Sequence, residues 1–124
     1  MKKDEIHIKR IYEQAQAGDG LRVLVDRLWP RGIKKTEAKI DLWLKEIAPS
    51  DELRKWFHHE PGKWLQFQQR YIQELAEKRE SIELILKELK TQPITLLYSA
   101  RDTEHNNALV LQTVLKSWPK LPII

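Results

Sequence analysis

Two short stretches of the chain concentrate the residues that could do chemistry. Asp26, Arg27, Trp29 and Arg31 fall within six residues of one another, and Ser99, Arg101, Asp102 and His105 fall within seven. Each stretch sets a carboxylate beside guanidinium groups. Planar guanidinium forks suit phosphate or carboxylate, which they can hold through two parallel hydrogen bonds. A carboxylate such as Asp26 could orient an arginine, bind a hydroxyl or act as a general base, and the imidazole of His105 could serve as acid or base. Asp26 and His105 are therefore the candidate catalytic residues. Arg27, Trp29, Arg31, Ser99, Arg101 and Asp102 are the candidate ligand-binding residues. This chemistry requires the two stretches to meet in space.

The elements around them predict that they do. Leu21-Arg22-Val23-Leu24-Val25 reads as a strand buried on both faces, stopped at Asp26–Gly32 by Pro30 and Gly32. Ile94 to Tyr98 reads as a second such strand. Its last residue opens a stretch of ten mostly polar residues, Tyr98 to Asn107, where such a junction usually needs about 2–6. If the two strands run parallel in one sheet, both junctions lie on the rim at the carboxyl ends, where open α/β sheets bind ligands.

The remaining pattern fits that fold. Ile6-His7-Ile8 predicts a first strand, Gly18-Asp19-Gly20 a turn, and Ile40, Leu42 and Leu44 a further strand. Lys34 to Lys39 predicts a short helical turn capped by Thr36. Ser50 caps a helix from Leu53 to about His58, with Asp51 and Glu52 in its first turn. A second helix begins near Pro61 and aligns Trp64, Phe67, Tyr71, Ile72 and Leu75 on one stripe. The stripe of Ile82, Ile85, Leu86 and Leu89 continues its period. One continuous helix would exceed ~40 Å at 1.5 Å per residue, against a radius of gyration near ~14 Å for such a domain. A break is expected between Glu77 and Ser81, with Ser81 as the new cap. A last helix is expected from about Thr103 to Ser117, capped by Asp102 or Thr103. Alternating strands and helices imply an α/β fold: one domain over residues 1–124, a mostly parallel sheet of about four strands, and helices packed on it.

Each candidate also has a purely structural reading. Arg27 could pair with Asp26 or Asp102 to hold the fold, and His105 could be a helix-surface histidine. His58-His59 stands at a helix-to-helix corner, where histidine favours the helix C-terminus. Trp43 and Trp64 belong to apolar stripes and read as core, and Trp56, beside Phe57, could join them. Trp29, inside its loop, could wall a pocket, stack on a base or plug the core. Ser99 lacks a Gly-x-Ser-x-Gly setting and is a poor nucleophile candidate. Walker-A and dinucleotide glycine fingerprints are missing, and the chain has four glycines. No cofactor and no metal are expected.

Bulk composition narrows the class further. The 124 residues carry 22 basic and 18 acidic groups, a formal net charge of +4, which favours anionic partners. There is no cysteine, so disulfides, thiolate metal sites and thiol nucleophiles are excluded. No signal peptide and no apolar run approaching ~18 residues is present. A cytoplasmic protein without membrane contact is the expectation.

The motifs also resemble a known family over nearly the whole chain. Leu21-Arg22-Val23-Leu24-Val25-Asp26-Arg27-Leu28-Trp29-Pro30-Arg31-Gly32 is similar to its first signature. Asp41-Leu42-Trp43-Leu44-Lys45-Glu46-Ile47-Ala48-Pro49-Ser50, Leu53-Arg54-Lys55-Trp56-Phe57 and His59-Glu60-Pro61 follow in order. So do Phe67, Arg70-Tyr71 and Thr95 to Asn106. The sequence is identified as a member of the bacterial domain-of-unknown-function family 488, in its short YeaO-like branch. The resemblance implies a single-domain α/β fold and motif residues Asp26, Arg27, Arg31, Arg101, Asp102 and His105, but no activity. Longer relatives carry Cys-Ala-Glu-Lys-Asp and then Cys-His-Arg near the last strand, whereas Tyr98 to Asp102 stands there in this chain. A thiol-dependent role is thereby excluded.

The leading expectation is a binder of a small anionic, phosphate-bearing or nucleotide-like ligand at the sheet rim, with hydrolysis or transfer left open. The alternatives are a nucleic-acid-binding module using Arg27, Trp29, Arg31 and Lys34-Lys35, or a protein-interaction domain without catalysis.

Overall fold

Four apolar runs become strands in the computed structural model of the protein, which describes residues 3–124. They are β1 (Ile6–Arg10), β2 (Leu21–Leu24), β3 (Leu42–Trp43) and β4 (Ile94–Tyr98). Met1 and Lys2, where the expected domain span begins, lie outside the described residues. The strand order is β1-β4-β2-β3, and the three pairings among the described residues are all parallel. β4 is therefore interior, with all five of its residues buried. Its register sets Leu97 against Leu24 of β2 and Lys9 of β1. Four helices follow the expected stripes: α1 (Asp51–Phe57), α2 (Trp64–Ala76), α3 (Arg79–Leu89) and α4 (Asn107–Ser117). The fold is α/β, as the alternation of elements implies.

Side chains alternate across a strand, and the two faces of this sheet are covered differently. Val23, Val25, Ile94, Leu96 and Tyr98 belong to one large buried cluster with Leu53, Phe67, Ile85 and Leu111 of the four helices. Burying each such apolar side chain stabilises by about 1.5–3 kcal/mol. Leu24 and Leu97 belong instead to a small cluster with Ile11, against which Trp29, Ile33, Ile40 and Trp43 pack. No helix contributes to it. Connecting loops cover that face.

Those loops are held by a buried ionic centre. Asp19 and Arg22 are only 7% and 5% exposed. The Asp19 carboxylate pairs with the Arg22 guanidinium and accepts from Lys9 Nζ at 2.9 Å. Arg22 Nε also donates to the Lys39 carbonyl at 2.7 Å, and the Thr95 hydroxyl donates to the Asp19 carbonyl at 2.7 Å. The adjoining Gly20 has φ +64°, and a Cβ there would stand 2.1 Å from the Pro93 carbonyl oxygen. That close approach lets the Leu21 amide bond to the same carbonyl at 2.9 Å and start β2 beside β4.

Several expected boundaries are corrected. The third strand is only Leu42–Trp43, not Ile40 to Leu44, because Asp41 turns in to accept the Arg22 amide. In place of a helical turn capped by Thr36 over Lys34 to Lys39, residues 35–37 form one turn, with the Glu37 amide on the Lys34 carbonyl at 3.0 Å. The Ser50 cap stands, with its hydroxyl accepting from the Leu53 amide at 3.1 Å, but α1 runs from Asp51 to Phe57. The helix break falls at Glu77–Lys78, so Ser81 is inside α3 and does not cap it. The last helix starts at Asn107, capped by Asn106 rather than by Asp102 or Thr103.

Asp19→Ala would leave Arg22 charged, buried and unpaired, and should cost about 3–5 kcal/mol, read as a lower urea midpoint at constant slope. A cost below about 1 kcal/mol would contradict this assignment. Burial works against ionisation of Asp19, but the Gln16 amide, Lys9 and Arg22 outweigh it and hold the carboxyl below its ordinary value. Its contribution is thus full above the unfolded value of about 3.9. It disappears as pH falls through the lower folded-state value, and an Asp19→Asn variant should lack that acid-side decline.

Candidate functional site

Parallel pairing carries β2 and β4 to the same edge, and the residues just beyond them meet there. The Val25 amide still donates to the Leu97 carbonyl at 3.1 Å, so the two strands end in register. One residue later, Asp26 Oδ2 accepts from both the amide and the hydroxyl of Ser99, at 2.9 and 2.8 Å. Asn107, the first residue of α4, donates its side-chain amide to the Val25 carbonyl at 3.0 Å and to Asp26 Oδ1 at 3.1 Å. The Trp43 indole donates to the Asp26 carbonyl at 2.8 Å. One carboxylate therefore ties together the ends of two strands and the start of a helix. Burial holds the Asp26 carboxyl above its ordinary value, against the opposing pull of Ser99, Asn107 and the nearby His59.

Asp26 lies on a cleft of about 670 Å³. Five arginines, Arg10, Arg27, Arg31, Arg54 and Arg101, line it, while Asp26 is the only carboxylate among the described residues that do. Arg10 Nε and Nη2 donate to the carbonyls of Ala100 and Ser99 at 2.8 and 3.3 Å. Arg27 Nε and Nη2 donate to the carbonyls of Pro49 and Ala48 at 3.2 and 3.4 Å. Carbonyls orient a guanidinium without neutralising it. That second anchor is itself fixed, since the Glu74 carboxylate accepts from the amide and hydroxyl of Ser50 at 2.8 and 2.6 Å. Arg54 pairs with Asp51 at 3.0 Å. Arg31 and Arg101 are exposed, and their guanidinium groups have no partner among the described residues.

The second expected stretch divides. His105 lines the cleft, and its Nδ1 stands 2.9 Å from Asp102 Oδ2. Asp102 does not line it. Its other oxygen accepts from the amides of Glu104 and His105 at 2.9 and 3.1 Å. Those contacts, first the Glu104 amide and then the His105 ring, hold the Asp102 carboxyl below its ordinary value. Asp102 positions His105, whose ring meets Trp64 edge-on at 5.2 Å. Ser99 is in the cleft with its hydroxyl committed to Asp26. Trp29 both walls the cleft and plugs the small cluster beneath, with its ring 5.3 Å from Trp43 and its N–H donated to the Ile33 carbonyl at 2.6 Å.

Arg10, Tyr12, Arg54, Phe57, His59, Phe67 and Asn107 also line the cleft, although none is among the candidate site residues expected from the sequence. Arg10 could be found only by knowing that β1 lies beside β4. Asn107 is the first residue after a cap that the sequence places three or four residues too early. Phe57 and Phe67 read simply as core, and both are buried, with ring centroids 4.4 Å apart. Among the described residues no three His, Asp or Glu side chains are grouped as metal ligands, and no helix is long and apolar enough to cross a membrane.

Comparison with known proteins gives a family but no activity. Residues 5–119 match the model of a family described as the inactive DUF488-N3 subclade. The chain is 51% identical to the uncharacterised protein YeaO of Escherichia coli (strain K12), over 90% of this chain and 97% of that one. It is 36% identical to the uncharacterised proteins Rv3073c of Mycobacterium tuberculosis and Mb3100c of Mycobacterium bovis, over 93% of this chain and 97% of theirs. No solved structure matches it.

The elevated Asp26 value gives a direct check. A carbon-detected NMR titration should place its carboxyl midpoint above that of an ordinary aspartate, and higher still in Ser99→Ala, which loses the hydroxyl that favours the charged form. Because the folded-state value is raised, ionisation of Asp26 removes stability as pH rises through that midpoint. A midpoint at or below about 3.9 would contradict the burial seen here.

Proposed function

The chain belongs to the DUF488 family, in its inactive N3 subclade, and we propose that it is a binding protein for a small anionic, phosphate-bearing ligand. The observation that carries this reading is a cleft lined, among the described residues, by five arginines and a single carboxylate. Arg10 and Arg27 are pinned by carbonyls, so their positive charge is oriented before any ligand arrives. Arg31 and Arg101, exposed and without partners among the described residues, supply forks able to close on an anion from the mouth. Pre-set cations of this kind cost little reorganisation on binding.

The reading includes no chemical step. Asp26 accepts three hydrogen bonds that fix it in the wall, and His105 is held by Asp102. These contacts hold both side chains in place as parts of the cleft lining. The family description points the same way. A cysteine-free chain suits the reducing cytoplasm, which we take as its compartment. Base stacking on Trp29 finds less support, because that ring packs on Trp43 and its N–H is spent on the Ile33 carbonyl.

A thermal-shift panel of inorganic phosphate, a sugar phosphate, a nucleotide and a short oligonucleotide tests the proposal. A small anion at 100 times its Kd should stabilise by about 2.7 kcal/mol. Arg101→Ala, an exposed change, should weaken that anion by about tenfold or more without lowering the melting temperature of the protein alone. Full affinity in both Arg101→Ala and Arg27→Ala would reject the anion site. Oligonucleotide binding alone, falling steeply with salt, would favour a nucleic-acid role.

A further inference from the structure

A phosphate ion leaves most of a 670 Å³ cleft unused, since sites of about 300–1,000 Å³ hold molecules of drug size. The rest of the lining says what else the ligand carries. Trp29, Pro30, Pro49 and Phe57 give the cleft apolar walls, and Leu28 on the same lining is 59% exposed. Pockets that hold such molecules are lined mainly by apolar side chains with a few placed polar groups, and Leu28 extends this apolar lining to the mouth. Asp26 adds a polar requirement. A carboxylate has about four acceptor positions, and the described donors fill three of them: two on Oδ2 from Ser99 and one on Oδ1 from Asn107. The position left on Oδ1 can only accept, and an anion placed there would meet a like charge.

Resting on the anion-binding reading, we infer that the ligand is two-ended. It is a phosphate or phosphonate monoester-type anion joined through a flat apolar body to a hydrogen-bond donor. The anionic end sits toward Arg31 and Arg101. The body covers Leu28 and lies along the apolar wall of the cleft, and the donor, a hydroxyl or amino group, reaches Asp26 Oδ1. The arginines and Asp26 thus read opposite ends of one molecule, which discriminates against simple anions and against aryl anions lacking the donor.

Three probes of the folded protein, titrated calorimetrically, test this: inorganic phosphate, benzylphosphonate and 4-aminobenzylphosphonate. Affinity should rise at each step, by about tenfold or more for the added body and again by about threefold to tenfold for the added amine. In Asp26→Asn the last gain should vanish while the preference for benzylphosphonate over phosphate remains. Should that variant fail to fold, the wild-type series decides by itself. Equal affinity for all three probes would overturn the two-ended ligand and leave anion binding standing. Equal affinity for the two phosphonates would overturn the donor contact at Asp26. No binding by any of the three would overturn this inference and the anion-binding reading together.

Discussion

The bond set around Asp26 is the constraint on which the rim depends. A parallel sheet brings strand ends to one edge but leaves their outgoing chains with unpaired amides. Here one carboxylate, a single residue beyond β2, takes the Ser99 amide and hydroxyl from beyond β4 and the Asn107 side chain from the start of α4. The two loops that carry Arg27, Arg31 and Arg101 leave from that knot. Releasing the carboxylate would remove the one side chain that bonds to both the Ser99 loop and the start of α4.

β2 is bracketed by two aspartates in opposite electrostatic settings. Asp19 precedes it and is surrounded by cations, Lys9 and Arg22, which hold its carboxyl low despite burial. Asp26 follows it and has only neutral donors in direct contact, so burial prevails and its carboxyl stays high. The difference assigns their work. Asp19 cancels charge to close a loop-covered face, whereas Asp26 leaves the arginines of the neighbouring cleft uncancelled. A site built to attract anions needs that second arrangement.

Much of this was legible in the sequence, for identifiable reasons. The β-branched run Leu21–Val25 and the apolar run Ile94–Tyr98 demanded burial on both faces, which placed them inside a parallel sheet and brought Asp26 near Ser99. The chain length against the helical stripe demanded the break after α2. Other features depend on tertiary choice. Asp102, Thr103 and Asn106 all suit a cap by local chemistry. Asn106 prevails because α4 must start where Ala108 and Leu111 reach the core, leaving Asp102 to hold the loop and orient His105. Ser81 lost its expected role because backbone bonds from Lys78 to Leu75 and from Ile82 to Lys78 make the α2–α3 corner without a side chain. Arg10 was silent because its place depends on the order β1-β4-β2-β3, which no local pattern encodes.

Backbone amide NMR during a titration with inorganic phosphate tests the central claim most directly, that the rim is one pre-arranged anion site. The predicted result is a saturable set of shifts confined to the cleft lining, residues 26–31, 48–59 and 99–107 and Arg10, sharing one dissociation constant, with the Asp19–Arg22 face unmoved. Shifts spread over the exposed lysines of the helices and the 34–39 turn, or shifts on the two rim loops with unrelated midpoints, would contradict it.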